Sequence, residues 1–293
     1  MAFLSYLISG LSLGSVYAII ALGYSMVYGI AKMLNFAHGD VIMVGAYVSF
    51  FMMVTFGMPV LVALVIAIAA CTLLGVTIER LAYKPLRQAT SLAVLITAIG
   101  VSYFLQNTAQ LLWSSSTKMY PAIVSNAQIK LFSDQLSISL ITIITIVVCL
   151  VVVLALTLFV NHTKIGSAMR ACAEDKDAAS LMGINVNQII SITFAIGSGL
   201  AAIAAVLLCA QYPSISPTLG SMPGIKAFTA AVFGGIGSIP GAFLGGLLLG
   251  VIETLTKAYI STQLSDAIVF MVLIIVLLIK PTGLLGKKTN VKV

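Results

Sequence analysis

Apolar stretches alternate with short polar breaks along almost the whole chain. They fall at roughly 5–30, 41–57, 59–79, 91–113, 137–160, 189–211, 224–238, 240–259 and 264–280. Most are near-continuous and about 20 residues long, the length of a helix that crosses a bilayer. Alternation in ten-residue segments is absent, which excludes a membrane barrel. The pattern predicts an all-α, polytopic transmembrane helical bundle with eight or nine spans, forming a single domain over 1–293. The stretches 41–57 and 224–238 are short for full spans and are candidates for half-helices or re-entrant segments. The first run is longer than a signal-peptide core and lacks a basic leader, so residues 1–30 are expected to stay in the membrane.

Composition agrees. The 293 residues are 60% hydrophobic and 8% charged, more apolar surface than a soluble core can bury. The net charge of +7 is scattered between apolar runs, without the basic, aromatic-interleaved stripe of a nucleic-acid binder. It is better read as a topology signal. Arg80, Lys84 and Arg87 form one basic loop, Lys164, Arg170 and Lys176 a second, and Lys280, Lys287, Lys288 and Lys292 a third. All three, and the C-terminus, are expected in the cytoplasm. The loop near 114–136, with Lys118, Lys130 and Asp134, is expected outside, with Trp113 and Tyr120 as interfacial anchors. If 41–57 spans fully, the N-terminus is also outside. Cys71, Cys149, Cys172 and Cys209 show neither metal nor disulfide spacing and read as small apolar fillers.

Two breaks interrupt the apolar pattern: Lys32 to Asp40, and Gly234-Gly235-Ile-Gly237-Ser238-Ile-Pro240-Gly241. Each is either a tight turn at the membrane surface or an irregular segment at membrane depth, which survives only when covered by protein or water. Paired interruptions in two halves of a transporter point to a substrate path. Asn35, His38 and Asp40 lie beside the first break; the plainer reading for them is a hydrated turn. Gln106 and Asn107 sit inside a span and must bond another helix or line a path. Glu253 and Lys257 are four apart and should pair. His162, at a loop boundary, reads as an interface residue. Gly10/Gly14 with Ala18, Gly241/Gly245 and Gly246/Gly250 mark close helix contacts, within the bundle or to a partner.

Enzyme signatures are missing: no H-E-x-x-H, G-x-S-x-G or G-x-x-x-x-G-K-[ST] occurs. No catalytic residue, metal site or cofactor is expected in this chain, and no ATP site.

The segment 162–188 holds six of the 23 charged residues. Its residues from Gly166 favour a helix that stops at Gly183. On a 3.6-residue period Arg170, Glu174, Asp177 and Leu181 share one face; Met169, Cys172, Ala179 and Met182 lie opposite. This is either a solvated connection or a docking helix for a cytosolic partner.

Asp177-Ala178-Ala179-x-x-x-Gly183 resembles the EAA-x-x-x-G loop by which permeases of bacterial ATP-binding-cassette (ABC) importers touch their ATPases. The longer string Arg170 to Asn185 is similar to the branched-chain amino acid importer permeases, LivH-type. Three further strings match: Met26-Val-Tyr28-Gly29-Ile with Asn35-Phe-Ala-His38-Gly39-Asp40; Ala98-Ile-Gly100 with Ser102-x-x-Leu105-Gln106-Asn107; and Lys226 to Ala242. The similarity runs over nearly the whole chain, although Asp177 replaces the motif's Glu and no Pro follows it. The resemblance implies a non-enzymatic inner-membrane permease of the ABC importer type, moving leucine, isoleucine and valine. It implies a second related permease, two cytosolic ATPases that hold ATP and Mg, and a periplasmic amino-acid-binding protein. Arg170, Glu174, Asp175, Asp177, Ala178, Ala179 and Gly183 would couple to the ATPases. Asn35, His38, Gly39, Asp40, Gln106, Asn107, Gly235, Gly237 and Ser238 are the candidates for the path. Two alternatives stay open: a permease of the same family for urea or short amides, and an ion-coupled transporter using Asp40, Glu253 and Asp266.

Overall fold

A computed structural model describes residues 2–124, 128–131 and 136–286. Asp134, Lys287, Lys288, Lys292 and the Val293 end, which bear on the expected orientation, lie outside them. Eleven helices are seen among the described residues: α1 (Ala2–Ala31), α2 (His38–Val54), α3 (Val60–Ile78), α4 (Ser91–Trp113), α5 (Leu140–His162), α6 (Lys164–Glu174), α7 (Lys176–Leu181), α8 (Val186–Gln211), α9 (Ser221–Gly234), α10 (Ile239–Tyr259) and α11 (Ser265–Ile279). A π turn at Glu79–Tyr83 and a 3-10 turn at Lys84–Leu86 extend α3. Between α4 and α5 the expected loop also contains short strands. There β1 (Lys118–Met119) pairs antiparallel with β4 (Ser214–Ile215), and β2 (Gln128–Leu131) with β3 (Leu136–Ser139).

Among the described residues six helices are long and apolar enough to cross a membrane: α1, α3 with its turns, α4, α5, α8 and α10. The remaining apolar stretches of the sequence carry shorter helices, α2 of 17 residues, α9 of 14 and α11 of 15. Fourteen residues rise only about 21 Å, against about 30 Å of hydrocarbon.

Helix α1 forms the centre of the bundle, buried almost continuously from Ser12 to Val27. Small residues let α10 lie against it: Gly10, Gly14 and Ala18 face Gly246, Gly250 and Val251, and a Cβ on Gly14 would stand 2.8 Å from the Leu247 Cα. The glycine spacing therefore serves a contact inside this chain. Gly241 and Gly245 turn the other face of α10 toward Gly234 and Ala230 of α9. Helices α3, α4, α5 and α11 form the rim and expose Leu61, Leu111, Leu154 and Leu278. Such apolar rims suit lipid or an apolar partner.

One end of the bundle collects the basic residues. Lys176 donates to the Ala31 carbonyl at the end of α1 (2.7 Å). Arg87 reaches Glu79 and, at the start of α8, Asn187. Lys32, Arg80, Lys84, Lys164 and Arg170 are in the same connections between helix ends. The two-stranded β1–β4 ribbon lies at the opposite end.

Candidate functional site

Helix α1 ends at Lys32, whose φ of 59° puts it in the left-handed region. The chain then turns back into the bundle. Tyr83 Oη donates to Asn35 Oδ1 (2.9 Å), and Asn35 O accepts the His38 N–H (3.1 Å) to start α2. The His38 ring packs edge-on to Tyr24, centroids 4.7 Å apart, and touches Gly23. Gly23 lies eight residues before the end of α1, about 12 Å along the helix. Helix α2 therefore begins well inside the bundle. Asn35, His38 and Asp40 are 4%, 1% and 2% exposed, so the hydrated-turn reading fails. The physical reason is the re-entrant path of 32–37, which carries these polar groups under a cover of α1, α3 and α9.

A second segment re-enters from the other end. After β4 the chain passes through Pro217 and Gly220 and starts α9 against the first turn of α2. A Cβ on Gly39 would lie 2.5 Å from the Gly220 carbonyl oxygen, and one on Gly220 would collide with the Gly39 backbone. The N-termini of two short helices thus meet within the bundle, where their partial positive ends coincide.

Beside this junction is a cavity of about 380 Å³, walled by Gly39, Asp40, Ser102, Gln106, Gly220 and Ser221, with Tyr24, Phe36, Leu95, Ile99, Tyr103, Gly224 and Ile225. Gln106 ties its walls together. Its amide donates to Asp40 Oδ1 (2.9 Å), Ser102 Oγ (3.2 Å) and Ser221 Oγ (3.3 Å). One side chain on α4 therefore connects α2 and α9. The volume lies within the usual range for small-molecule sites, and apolar walls with a few convergent polar groups are their usual construction.

The remaining path candidates are not there. Asn107 is exposed and bonds back to the Tyr103 carbonyl (2.7 Å). Gln106 lines the cavity and Asn107, about 100° further round the helix, does not. Gly235, Gly237 and Ser238 form the tight turn between α9 and α10 at the basic end. There Ser25 Oγ accepts the Gly237 N–H (2.9 Å), and Gly235, at φ 108°, abuts Gly286. This break is a tight turn packed on Ser25 and Gly29 of α1, and its residues do not line the cavity beside Gln106. The segment that meets the first break is 216–224, which reads Ser216-Pro217-Thr-Leu-Gly220-Ser221-Met-Pro223-Gly224. Its two prolines and two glycines in nine residues were the available signal.

The charged segment divides in two. Asp175 ends α6 and caps α7, its carboxylate accepting the Asp177 and Ala178 N–H groups (2.8 and 3.0 Å). The single helix expected from Gly166 to Gly183 is broken because this cap outcompetes continuation. Met169, Cys172 and Ala179 face inward, while Arg170, Glu174, Asp175, Asp177, Ala178 and Gly183 are exposed. Met182 departs from the expected apolar face and stands exposed beside Leu181. Burial raises the Cys172 thiol above its ordinary value. His162 is exposed at the end of α5.

Elsewhere, the Glu253–Lys257 pair is present (2.6 Å) and belongs to a larger network. Glu253 also binds Lys226 (2.8 Å) and the Tyr17 hydroxyl (2.9 Å), and Lys226 binds Asp266 (2.6 Å). Tyr120 is buried, sharing a hydrogen bond with Ser49 (2.9 Å), and Trp113 stacks on Tyr47 at 4.4 Å. The two aromatics therefore pack on α2; neither is a free interfacial anchor. All four cysteines are buried and unbridged. Among the described residues no cluster of metal-ligating side chains is found.

A multi-pass helical bundle with a polar cavity at the junction of two interrupted helices is the architecture of a membrane permease. The family model described as "Branched-chain amino acid transport system / permease component" matches residues 6–277, and the chain belongs to that family. It is 46% identical to the high-affinity branched-chain amino acid transport system permease protein LivH of Escherichia coli, over 99% of this chain and 98% of that protein. It is equally similar to BraD of Pseudomonas aeruginosa, with the same coverage. A probable LivH from Methanocaldococcus jannaschii is 28% identical over 92% of this chain and 88% of its own.

Proposed function

We propose that this chain is the translocating subunit of an ATP-driven importer for leucine, isoleucine and valine, and that the cavity at the α2–α9 junction lies on the substrate path. The observation that carries this is the meeting of two helix N-termini beside a buried acid and an amide. A zwitterionic amino acid needs both signs of charge. The N-terminal ends of α2 and α9, with the Ser102 and Ser221 hydroxyls, suit its carboxylate. Asp40 and the Gln106 carbonyl suit its ammonium. Phe36, Leu95, Ile99 and Ile225 offer apolar surface to a branched side chain.

The gathered cations at the α6–α7 end support a cytoplasmic position for that end and for the C-terminus. In this orientation α2, α9 and α11 complete the crossing pattern with the six long helices, giving one transmembrane domain. The exposed faces of α6 and α7, with Leu181 and Met182, seat in an ATPase that holds ATP and Mg. The exposed face of α4, including Tyr103 and Leu111, packs on a second permease subunit, and a periplasmic binding protein delivers the amino acid. Glu253 and Asp266 are already engaged by lysines, which does not favour an ion-coupled transporter.

The test is uptake of labelled leucine, with labelled urea in parallel, in cells with and without this chain and with partner subunits supplied. Leucine uptake that needs both this chain and an active ATPase is expected. Urea uptake alone replaces the substrate; chain-dependent uptake that survives ATPase loss rejects the importer.

A further inference from the structure

A second cavity, of about 360 Å³, opens between the end of α1, the start of α4 and α7, at the end assigned to the cytoplasm. Its walls include Lys32, Arg87, Lys176, Ala89, Ser91 and Tyr28. The three cations come from three separate connections, and each is placed by backbone structure. Lys32 is the left-handed residue that terminates α1. Arg87 follows the 3-10 turn after α3. Lys176 opens α7 and is held by the Ala31 carbonyl. One carboxylate, Glu79, answers Arg87. No other acid pairs with these cations among the described residues. Three cations thus stand in the wall with one carboxylate paired to them, and Asp177 acts on Lys176 from beyond pairing distance.

Two further features favour an anion in this cavity. The 23-residue helix α4 begins at Ser91 in the cavity wall, adding the positive end of its dipole. The Lys176 ammonium is held below the usual lysine range by burial, then by the charges of Arg87 and Lys32. Such mutual repulsion is relieved by an anion placed between them.

We propose that this cavity binds a phosphate-type anion, either the phosphodiester headgroup of an anionic lipid or free inorganic phosphate. Two ammonium groups, a guanidinium, a serine hydroxyl and a helix N-terminus around one cavity are the groups that bind phosphate oxygens. Basic pockets between helices on the cytoplasmic side are the usual form of a headgroup site. The bound anion would clip α7 to the segment that leads into α2, joining the proposed coupling helix to the substrate cavity.

The test is binding, and so does not depend on transport. The full-length chain is placed in lipid nanodiscs, and native mass spectrometry compares retained phosphatidylglycerol with phosphatidylcholine. Inorganic phosphate is titrated calorimetrically into the same protein. Selective retention of phosphatidylglycerol assigns the lipid as the source, and phosphate binding without lipid preference assigns the soluble anion. In either case Lys32→Gln and Lys176→Gln should each weaken binding about fivefold, while Lys84→Gln, outside the cavity, leaves it unchanged. Two lysine variants are used so that one can fail to fold without loss of the test. The proposal is overturned if the wild-type protein binds neither probe, or if folded lysine variants bind as tightly as wild type.

Discussion

Gln106→Leu separates a path residue from an inert one more sharply than any other single change. The glutamine amide donates to the Asp40 carboxylate at 2.9 Å and reaches two serine hydroxyls at 3.2 and 3.3 Å. A hydrogen bond to a charged group contributes about 1.5–3 kcal/mol, and the longer neutral contacts no more than about 0.5–1.5 kcal/mol each. Leucine is similar in volume, so little cavity is created; the loss falls on Asp40, which is 2% exposed and keeps its desolvation penalty. Losing the Asp40 bond alone corresponds to roughly 10- to 150-fold in an equilibrium that requires the ordered cavity. Uptake of labelled leucine should therefore fall at least tenfold at equal membrane abundance. Asn107→Leu is the internal control. One residue along, it removes a local bond to Tyr103 on an exposed face, and uptake should stay within about twofold of wild type. If both variants transport normally, or if Asn107→Leu is the more damaging, the cavity is not the path and the reasoning is wrong.

Gly220→Ala forces a methyl against the Gly39 backbone and should cost about 1–3 kcal/mol by overpacking, seen as a lower melting temperature in detergent; an unchanged melt would mean that α2 and α9 separate freely. Glu253→Gln leaves Lys226 and Lys257 with one fewer buried partner and should destabilise by up to about 3–5 kcal/mol, whereas Lys226→Met with Glu253→Met should recover much of the loss; thermal unfolding of the two variants beside the wild type checks both. Met182→Cys should react quickly with a maleimide, because Met182 is 83% exposed and the native cysteines are buried. Adding the ATPase should protect it, and labelling that is insensitive to the ATPase would place the docking surface elsewhere. Glu174→Lys, also at an exposed position, should reduce ATPase co-purification; retention at the wild-type level would contradict the coupling role.

Legibility differed from element to element. Helices α1, α3, α4, α5, α8 and α10 stand where long apolar runs announce them, because a run of that length has no other stable form in lipid. The Glu253–Lys257 pair was readable from its spacing of four, and the inward face of α6 from its period. The break at 32–40 was visible as polar residues between apolar runs. Its depth was not visible, since the same residues suit a surface turn. Asp175 illustrates a local competition: the residue types favour one helix, but a carboxylate able to cap the next turn divides it.

What the sequence determined by itself was the class of molecule, the approximate helices, the charged cytoplasmic-type loops and the family strings. These depend on composition and on spacing along one element, which the linear order contains. Only the tertiary structure decided which interruptions meet. It joined 32–40 to 216–224 in place of Gly234–Gly241, turned Gln106 inward and Asn107 outward, and gathered Lys32, Arg87 and Lys176 around one cavity. Those outcomes rest on how helices cross and which face each presents. Contacts between residues more than a hundred positions apart are set by packing, not by local pattern.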